Sequence, residues 1–437
     1  MTPHNTYWNE SRFNSNWPTV LCIPDLLDAK AFLDIFANAN ANIILLMKSK
    51  WQSSTSVDMA CGFAIVAESF TAENSLTALK LLLDLAKLPT RSLEHIVCFT
   101  EQNVEICAAL SDVFAKDPWQ RDVLPLFRDK FLMRSWAKSR GILSPDFALA
   151  SDKGCLEKIF SQTTVTEKVS GPRFVTKPRT SMLCDGVQLW NDIEGLNQWL
   201  ENLGDGASEY LVERYQSGSL CHVDAIVKDG RSLVSIACRY GCPLINVDGV
   251  ENLLTDVTLD ADSILAIRLK AAHEEVVAAF GLVSGMTHIE FFLDHQNGEI
   301  SLCEAACRPP GFDFTKLHEL VLGESLFSLY AKALLGIDIS YVVTRGNAGL
   351  VSFGASQANA EFRYKIEKIQ HADIVTRKCI DIGQLPANLP DLLYEVGRIL
   401  ILSESEMLAW NAIRSIGNQY KTGISEVIKP IEVTFDA

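Results

Sequence analysis

The chain has 437 residues, 48% of them hydrophobic and 21% charged, with a formal net charge of -15. That length suits about three domains or subdomains with a sizeable core, and the acidic balance argues against a nonspecific grip on nucleic-acid phosphates or anionic lipid. No apolar run reaches the roughly 18 residues of a membrane helix, and the polar opening MTPHNTYWNESRFNSNW has no signal-peptide core, so a cytoplasmic protein is expected.

Residues 18 to 116 alternate short apolar runs (TVLCIP, NIILLMKS, GFAIVAESF, LEHIVCFT) with amphipathic ones (DLLDAKAFLDIFANA, SLTALKLLLDLAKL, EQNVEICAALSDVFAK). This alternation predicts a doubly wound parallel sheet flanked by helices. The first strand-to-helix turn, CIPDLLDA, contains no glycine, so residues 1–127 are read as an α/β domain that does not bind a dinucleotide. The 12 cysteines are scattered singly, the nearest pairs being the CxxxC of Cys238 with Cys242 and of Cys303 with Cys307. They are expected to be reduced, small core hydrophobes rather than metal ligands.

Pro118, Pro125 and RDVLPLFRDK mark a boundary, after which FLMRSWAKSRG reads as a helix ended by Gly141. A second unit, residues 128–212, holds RFVTKP, RTSMLCDG and VQLW as strand, loop and strand. Lys177 sits near the end of that first strand, where a cation could reach a ligand or could simply decorate an edge strand. Glu213, in EYLVERY, follows an apolar pair at the mouth of the turn QSGS, a place for a carboxylate that accepts from an amine. The third unit, residues 213–437, contains strands from Leu220 to Tyr240 and the helix SILAIRLKAAHEEVVAAFG. Beyond these lie a helix from Phe314 to Leu335 and, from about residue 337, a lid or accessory region around SEMLAWNAIRSIGNQY. The sequence has no internal repeat and no low-complexity tract.

Within the third unit, THIEFFLDHQNGEISLCEAACRPPG reads as a β-hairpin, because two β-branched and aromatic runs flank the turn signal DHQNG. A turn centred near Asn297 sets Glu290 nearly opposite Glu304, with Cβ atoms about 4.5 to 5.5 Å apart. Period-two alternation then places Glu304, Ala306 and Arg308 on one face and Cys303 and Cys307 on the other. Two carboxylates on an apolar hairpin repel each other unless a cation lies between them, and Mg²⁺ suits that need. The bland alternative is a solvent-facing acid pair with Arg308 as its salt-bridge partner.

Taken in order, RDKFLMRSWAKSRGILSPDF, FVTKPRTSMLCDGV, YLVERYQSGSLCHVD and the hairpin resemble four successive motifs of the ATP-grasp superfamily, over roughly residues 95 to 336. Within it the chain looks most like L-amino acid (dipeptide) ligases and carnosine-synthase-like carboxylate-amine ligases. The resemblance implies an α/β and α+β architecture, with a doubly wound N-terminal domain followed by a two-subdomain ATP-grasp fold. It also implies ATP and Mg²⁺ as cofactors, Mn²⁺ being a substitute. Lys130 and Lys177 would contact ATP phosphates, Glu213 would receive the adenine amine, and the backbone from Arg214 to Gln216 would complete the adenine edge. His222 stands much as a ligand-binding histidine does in biotin carboxylase, or is merely structural. Glu290 and Glu304 would be the metal ligands, and Arg308 the catalytic oxyanion partner. The loop RTSMLCDG keeps only Gly186 of the usual glycine-rich lid, Leu220 occupies the approximate place of a ribose-binding glutamate, and Ala306 stands where many members have a metal-binding asparagine.

The implied reaction is ADP-forming ligation of a carboxylate to an amine through an acylphosphate. Its substrates would be small molecules, amino acids foremost, with neither nucleic acid nor membrane as partner and a homodimer left open. The same site would serve ligation to a carrier protein, or nucleotide binding without catalysis; no biotin-carrier motif such as AMKM is present. Specificity is expected from loops that include Arg239 to Asn252.

Overall fold

The computed structural model describes residues 5–24, 29–48, 60–66, 70–161, 172–182, 184–247, 253–311, 314–340, 342, 344–354, 362–379 and 395–422. The expected start of the first helix at residues 25–28, residue 183 of the loop after Lys177, and residues 248–252 of the expected specificity loop lie outside the described residues.

Three sheets organise the described residues. The first contains β1 (Asn5–Trp8), β2 (Thr19–Ile23), β3 (Asn42–Lys48), β4 (Gly62–Val66) and β5 (His95–Cys98), in the order β1-β4-β3-β2-β5. Strands β2 to β5 are parallel, as their uninterrupted apolar runs predict, and both faces are covered. The polar opening of the chain adds an antiparallel edge strand, β1, that composition alone did not show. One face packs with the helices Ala72–Leu85 and Val104–Phe114, through Leu21, Ile44, Leu46, Leu79 and Leu110. Through Val20, Ile43 and Leu45 the other face shares a core with Phe32, Phe327 and Tyr330. Phe32 meets Tyr330 at 5.9 Å between rings and Phe99 meets Phe327 at 5.1 Å, so this domain is welded to the body of the protein by apolar contact.

The second sheet is antiparallel and contains β6 (Phe147–Leu149), β7 (Phe174–Pro178), β8 (Gln188–Trp190) and β9 (Tyr210–Arg214), in the order β6-β9-β7-β8. The helices Lys153–Ser161 and Ile193–Leu203 cover it through Leu156, Ile159 and Leu196. Strand β9 runs through the boundary expected at residue 213.

The third and largest sheet contains β10 (Ser219–Lys228), β11 (Arg231–Tyr240), β12 (Leu254–Thr258), β13 (Ser284–Leu293), β14 (Ile300–Ala306), β15 (Asn347–Gly354), β16 (Ile374–Cys379) and β17 (Glu395–Ser403). Its order is β14-β13-β10-β11-β12-β15-β17-β16. The segment expected to form a lid or accessory region after residue 337 thus contributes three strands to this sheet, and the helix Glu406–Thr422 packs on them through Trp410, Ile413 and Ile416. Apolar residues on β10 and β13 alternate between two cores. Cys221, Val223, Ile289 and Phe291 join the helix Ile264–Phe280, whereas Leu220, Ile226, Met286 and Phe292 face the helices Phe314–Leu322 and Leu326–Leu334. No helix among the described residues is long and apolar enough to cross a membrane.

Candidate active site

The hairpin forms as its turn chemistry predicts: β13 and β14 are antiparallel and Glu290 pairs with Glu304 in register. One residue later the register shifts, and Phe291 pairs with Leu302. Cys303 is therefore the extra residue of a β-bulge. The bulge corrects the expectation that Cys303 points away from the acids, since its thiol lies 3.9 Å from Glu290 Oε2 and lines the same cavity as Glu304.

That cavity opens between the small and large sheets. The small sheet and its flanks contribute Lys130, Val175, Lys177, Leu189, Glu213 and the backbone stretch Arg214, Tyr215 and Gln216; the large sheet contributes Leu220, Glu290, Phe292, Cys303 and Glu304. A second cavity on the far side of the two glutamates is lined by Glu101, Tyr240, His288, Ala306, Arg308 and Phe314. Glu290 and Glu304 line both, together with Cys184 and Leu244, so the two acids stand where the two spaces meet.

Local chemistry explains how each cation arrives. Asp129 caps the helix Lys130–Ser139 by accepting from the amides of Phe131 and Leu132, which fixes Lys130 in the first turn. Lys130 Nζ donates to Ser181 O at 2.7 Å and pairs with Glu304 Oε1 at 2.9 Å. One turn further on, Arg134 is buried; its Nε donates to Glu213 Oε1 at 2.7 Å and its Nη2 to Cys303 O at 2.6 Å. Lys177, on β7, holds the other oxygen of Glu213 at 2.7 Å. Burial opposes ionisation of Glu213, but Arg134 and then Lys177 outweigh it and hold its carboxyl down to about 2. The carboxylate expected to meet an adenine amine is thus already clasped by two cations.

Arg308 lies just past the end of β14, and its partner is not the acid pair. Its Nε bonds Glu101 Oε2 at 3.1 Å, and Arg128 holds Glu101 Oε1 at 3.0 Å. Glu101 comes from the N-terminal domain and is 3% exposed, so that domain supplies a wall of the second cavity. Burial works against the charge on Arg308, yet Glu101 first and Glu304 and Glu290 after it hold its pKa above the ordinary value.

Glu290 is fixed from behind. Tyr240 donates its hydroxyl to Glu290 Oε1 at 3.1 Å, His288 Nε2 lies 3.4 Å from the same oxygen, and His288 Nδ1 donates to Asp224 Oδ1 at 2.6 Å. Burial raises the cost of its charge, but His288 and Tyr240 lower its pKa below the ordinary carboxylate value. The donor set fits a hard divalent cation, because two carboxylates in register line both cavities, with one oxygen of Glu290 held by Tyr240 and His288 and one oxygen of Glu304 by Lys130.

Two expected residues sit elsewhere. His222 is 0% exposed and lines neither cavity; its ring lies behind the sheet surface between Asp224 and Asp256. Gly186 is outside the cavity lining but holds a turn: its φ is +71° and a Cβ there would stand 2.7 Å from Pro178 Cγ. Gly218, at the cavity between β9 and β10, has φ +122° and no room for a Cβ, which would lie 2.2 Å from Leu293 O. Sequence reasoning missed Arg134, Glu101, Tyr240 and His288. Two of them had a local signal: Arg134 by its four-residue spacing from Lys130 on one helix face, and His288 by its two-residue spacing from Glu290 on one strand face.

The Glu213 clasp predicts an acid-dependent stability. Its carboxyl is near 4.5 when unperturbed and about 2 in the fold. The unfolded chain therefore binds more protons between these values. The contribution is complete above about pH 4.5, is lost as pH falls toward 2, and amounts to roughly 3 kcal/mol. In Glu213→Gln this part of the acid slope should vanish and stability near pH 7 should fall by about 3 to 5 kcal/mol, because Arg134 and Lys177 stay buried without their carboxylate. Denaturant unfolding from pH 2 to 7 checks this; an unchanged acid slope in the variant would contradict it.

No family model and no curated protein matches the sequence. Solved structures do match. The L-amino acid ligase from Bacillus licheniformis superposes with a TM-score of 0.65 at 13% identity, over 93% of this chain and 98% of that one. Carboxyaminoimidazole ribonucleotide synthase from Aspergillus clavatus, in complex with ATP, gives 0.67 at 15% identity over 94% and 100%. Phosphoribosylglycinamide synthetase from Anaerococcus prevotii gives 0.61 at 11% identity over 92% and 98%. The chain has the ATP-grasp fold, with the N-terminal domain that accompanies it.

Proposed function

We propose that this protein is an ATP- and Mg²⁺-dependent carboxylate-amine ligase that forms an amide or peptide bond between small molecules, amino acids foremost, and releases ADP and phosphate. One observation carries the reading: two carboxylates in register stand where a cavity holding Lys130 and Lys177 meets a second cavity holding Arg308. Phosphoryl transfer needs little covalent chemistry from the protein and much charge neutralisation, which this arrangement supplies.

The first cavity suits the nucleotide. Val175, Leu189, Leu220 and Phe292 offer apolar faces to a flat base, and the backbone from Arg214 to Gln216 offers edge hydrogen bonds. Lys130 and Lys177 reach the phosphates, where compact ammonium groups suit point-charge contacts. Glu290 and Glu304 would hold Mg²⁺, which would supply charge neutralisation for the transferring phosphoryl group. The acceptor carboxylate lies in the second cavity. Its oxygen attacks the γ-phosphorus, ADP leaves, and the acylphosphate remains beside Arg308. The amine then attacks the acyl carbon, Arg308 holds the oxyanion, and phosphate departs with the amine's proton as the amide forms. No protein nucleophile is required.

The neighbouring L-amino acid ligase supports amino acids as substrates, and Leu244, in the described part of the expected specificity loop, borders both cavities. A phosphate-release screen over pairs of amino acids tests the proposal. Turnover requiring both an acid and an amine supports it. Turnover only with a loaded carrier protein moves the acceptor, and nucleotide binding without turnover under any pair overturns catalysis.

Lys177→Ala is expected to raise the KM for ATP and lower kcat together, since a phosphate contact that strengthens as charge moves acts on both. It also leaves Glu213 with Arg134 alone, so the melting temperature should fall. Steady-state phosphate release corrected for the folded fraction separates these effects; unaltered kinetics would reduce Lys177 to a structural partner of Glu213.

A further inference from the structure

Behind the hairpin, on the face of the large sheet that meets the helix Phe314–Leu322, lies a second set of polar side chains, of which the proposed ligase reaction uses only those that hold Glu290: Tyr240, and His288 with its partner Asp224. Register brings them together. His222 on β10 pairs with Cys238 on β11, Asp224 on β10 with His288 on β13, and Tyr240 on β11 with Asp256 on β12, while His318 descends from the helix. His222, Asp224, Cys238, Asp256 and His318 are each at most 1% exposed.

Four of their atoms, His222 Nδ1, Asp224 Oδ2, Asp256 Oδ1 and His318 Nδ1, are buried without a hydrogen-bond partner among the described residues. His222 Nδ1 approaches Asp224 Oδ2 to 2.8 Å and His318 Nε2 approaches it to 3.1 Å, yet neither contact aligns as a hydrogen bond. Cys238 Sγ lies 3.7 Å from His318 Nε2. The ligand atoms of Asp224, Cys238 and His318 all fall within 4.8 Å of one another, as do those of His222, Asp224 and His288.

We infer that His222, Asp224, Cys238 and His318 form a closed structural metal site, suited to Zn²⁺, between the large sheet and the helix Phe314–Leu322. With zinc–nitrogen and zinc–oxygen bonds of about 2.0 to 2.1 Å and zinc–sulfur of about 2.3 Å, tetrahedral ligand atoms stand roughly 3.3 to 3.6 Å apart; Cys238 Sγ and His318 Nε2 are near this at 3.7 Å, whereas Asp224 Oδ2, 2.8 Å from His222 Nδ1 and 3.1 Å from His318 Nε2, would move outward by a few tenths of an ångström as the metal enters. His222 Nδ1 and Asp224 Oδ2, orphaned as hydrogen-bonding atoms, become ligands. One carboxylate and one thiolate on a dication make a neutral centre, which removes the cost of isolated charge in an apolar interior. Outer partners stand ready: His222 Nε2 donates to Asp256 Oδ2 at 3.3 Å and His288 Nδ1 donates to Asp224 Oδ1 at 2.6 Å. Burial, with Asp256 and Asp224 behind it, keeps a lone Cys238 thiol protonated, so coordination is what ionises it and releases its proton to solvent. The rival is an ion-pair network of imidazoliums and carboxylates with no metal.

Elemental analysis of the full-length protein, purified without chelator and also after denaturation and refolding with zinc, distinguishes them. The site predicts about one zinc per chain, retained through gel filtration. Cobalt substitution should give a thiolate-to-cobalt charge-transfer band that Cys238→Ser abolishes, and Cys238→Ser and His318→Gln should each lose the metal. Asp256→Asn, which removes only an outer partner, should weaken zinc affinity by about 10- to 100-fold. Glu304→Gln, at the hairpin, should keep the full equivalent. A parent protein that takes up no metal in either preparation overturns the site, as does zinc retained undiminished in both Cys238→Ser and His318→Gln. Neither result depends on ligase turnover.

Discussion

Glu304→Gln is expected to lower Mg²⁺-dependent turnover by roughly 10³-fold or more while leaving the fold intact, the size of a lost metal contact worth about 4 kcal/mol. The substitution keeps the side chain's volume and one acceptor oxygen but removes the charge that faces Glu290 across the hairpin. Lys130 loses the opposite charge of its 2.9 Å partner yet keeps an acceptor there and the carbonyl of Ser181 at 2.7 Å, so the helix Lys130–Ser139 stays anchored. The apparent Mg²⁺ requirement should move to higher concentration, and the melting temperature should hold within a few degrees. Phosphate release measured across a Mg²⁺ titration is the check. Turnover within about twofold of the parent at every Mg²⁺ concentration would remove Glu304 from the metal site.

Arg308→Ala should bind ATP nearly as well as the parent while kcat falls by about 10² to 10³, the usual cost of losing one oxyanion donor. Arg308 lines the second cavity and not the first, which is why nucleotide affinity should barely move. Its guanidinium is aimed by Glu101, which Arg128 holds from the other side. Once Arg308 is gone, Arg128 still neutralises Glu101, so a large collapse in stability is not expected. Arg308→Lys should rescue little, because an ammonium cannot both hold Glu101 and present the planar fork. Calorimetric ATP binding beside product formation per folded molecule decides the matter. A lowered melting temperature with an unchanged rate per folded molecule would make Arg308 a strut between domains.

The local pattern of the chain determined the parallel N-terminal sheet, the hairpin and the opposition of Glu290 to Glu304, because strand periodicity and turn chemistry are properties of neighbouring residues. It also placed Lys177 near a strand end, from which it reaches the cavity that Lys130, assigned only by resemblance, lines as well. Tertiary structure decided what each group touches. The bulge at Cys303 turned that side chain toward the acids and offered its carbonyl to Arg134. Arg308 found Glu101 across 207 residues of sequence, since only the packing of the N-terminal domain on the central sheet brings them together. His222 left the cavity for the interior because four strands and a helix, drawn from distant parts of the chain, close around it. Alternation along one strand says which face a side chain takes; which strands lie beside it, and what covers that face, is set by long-range pairing that no local pattern encodes.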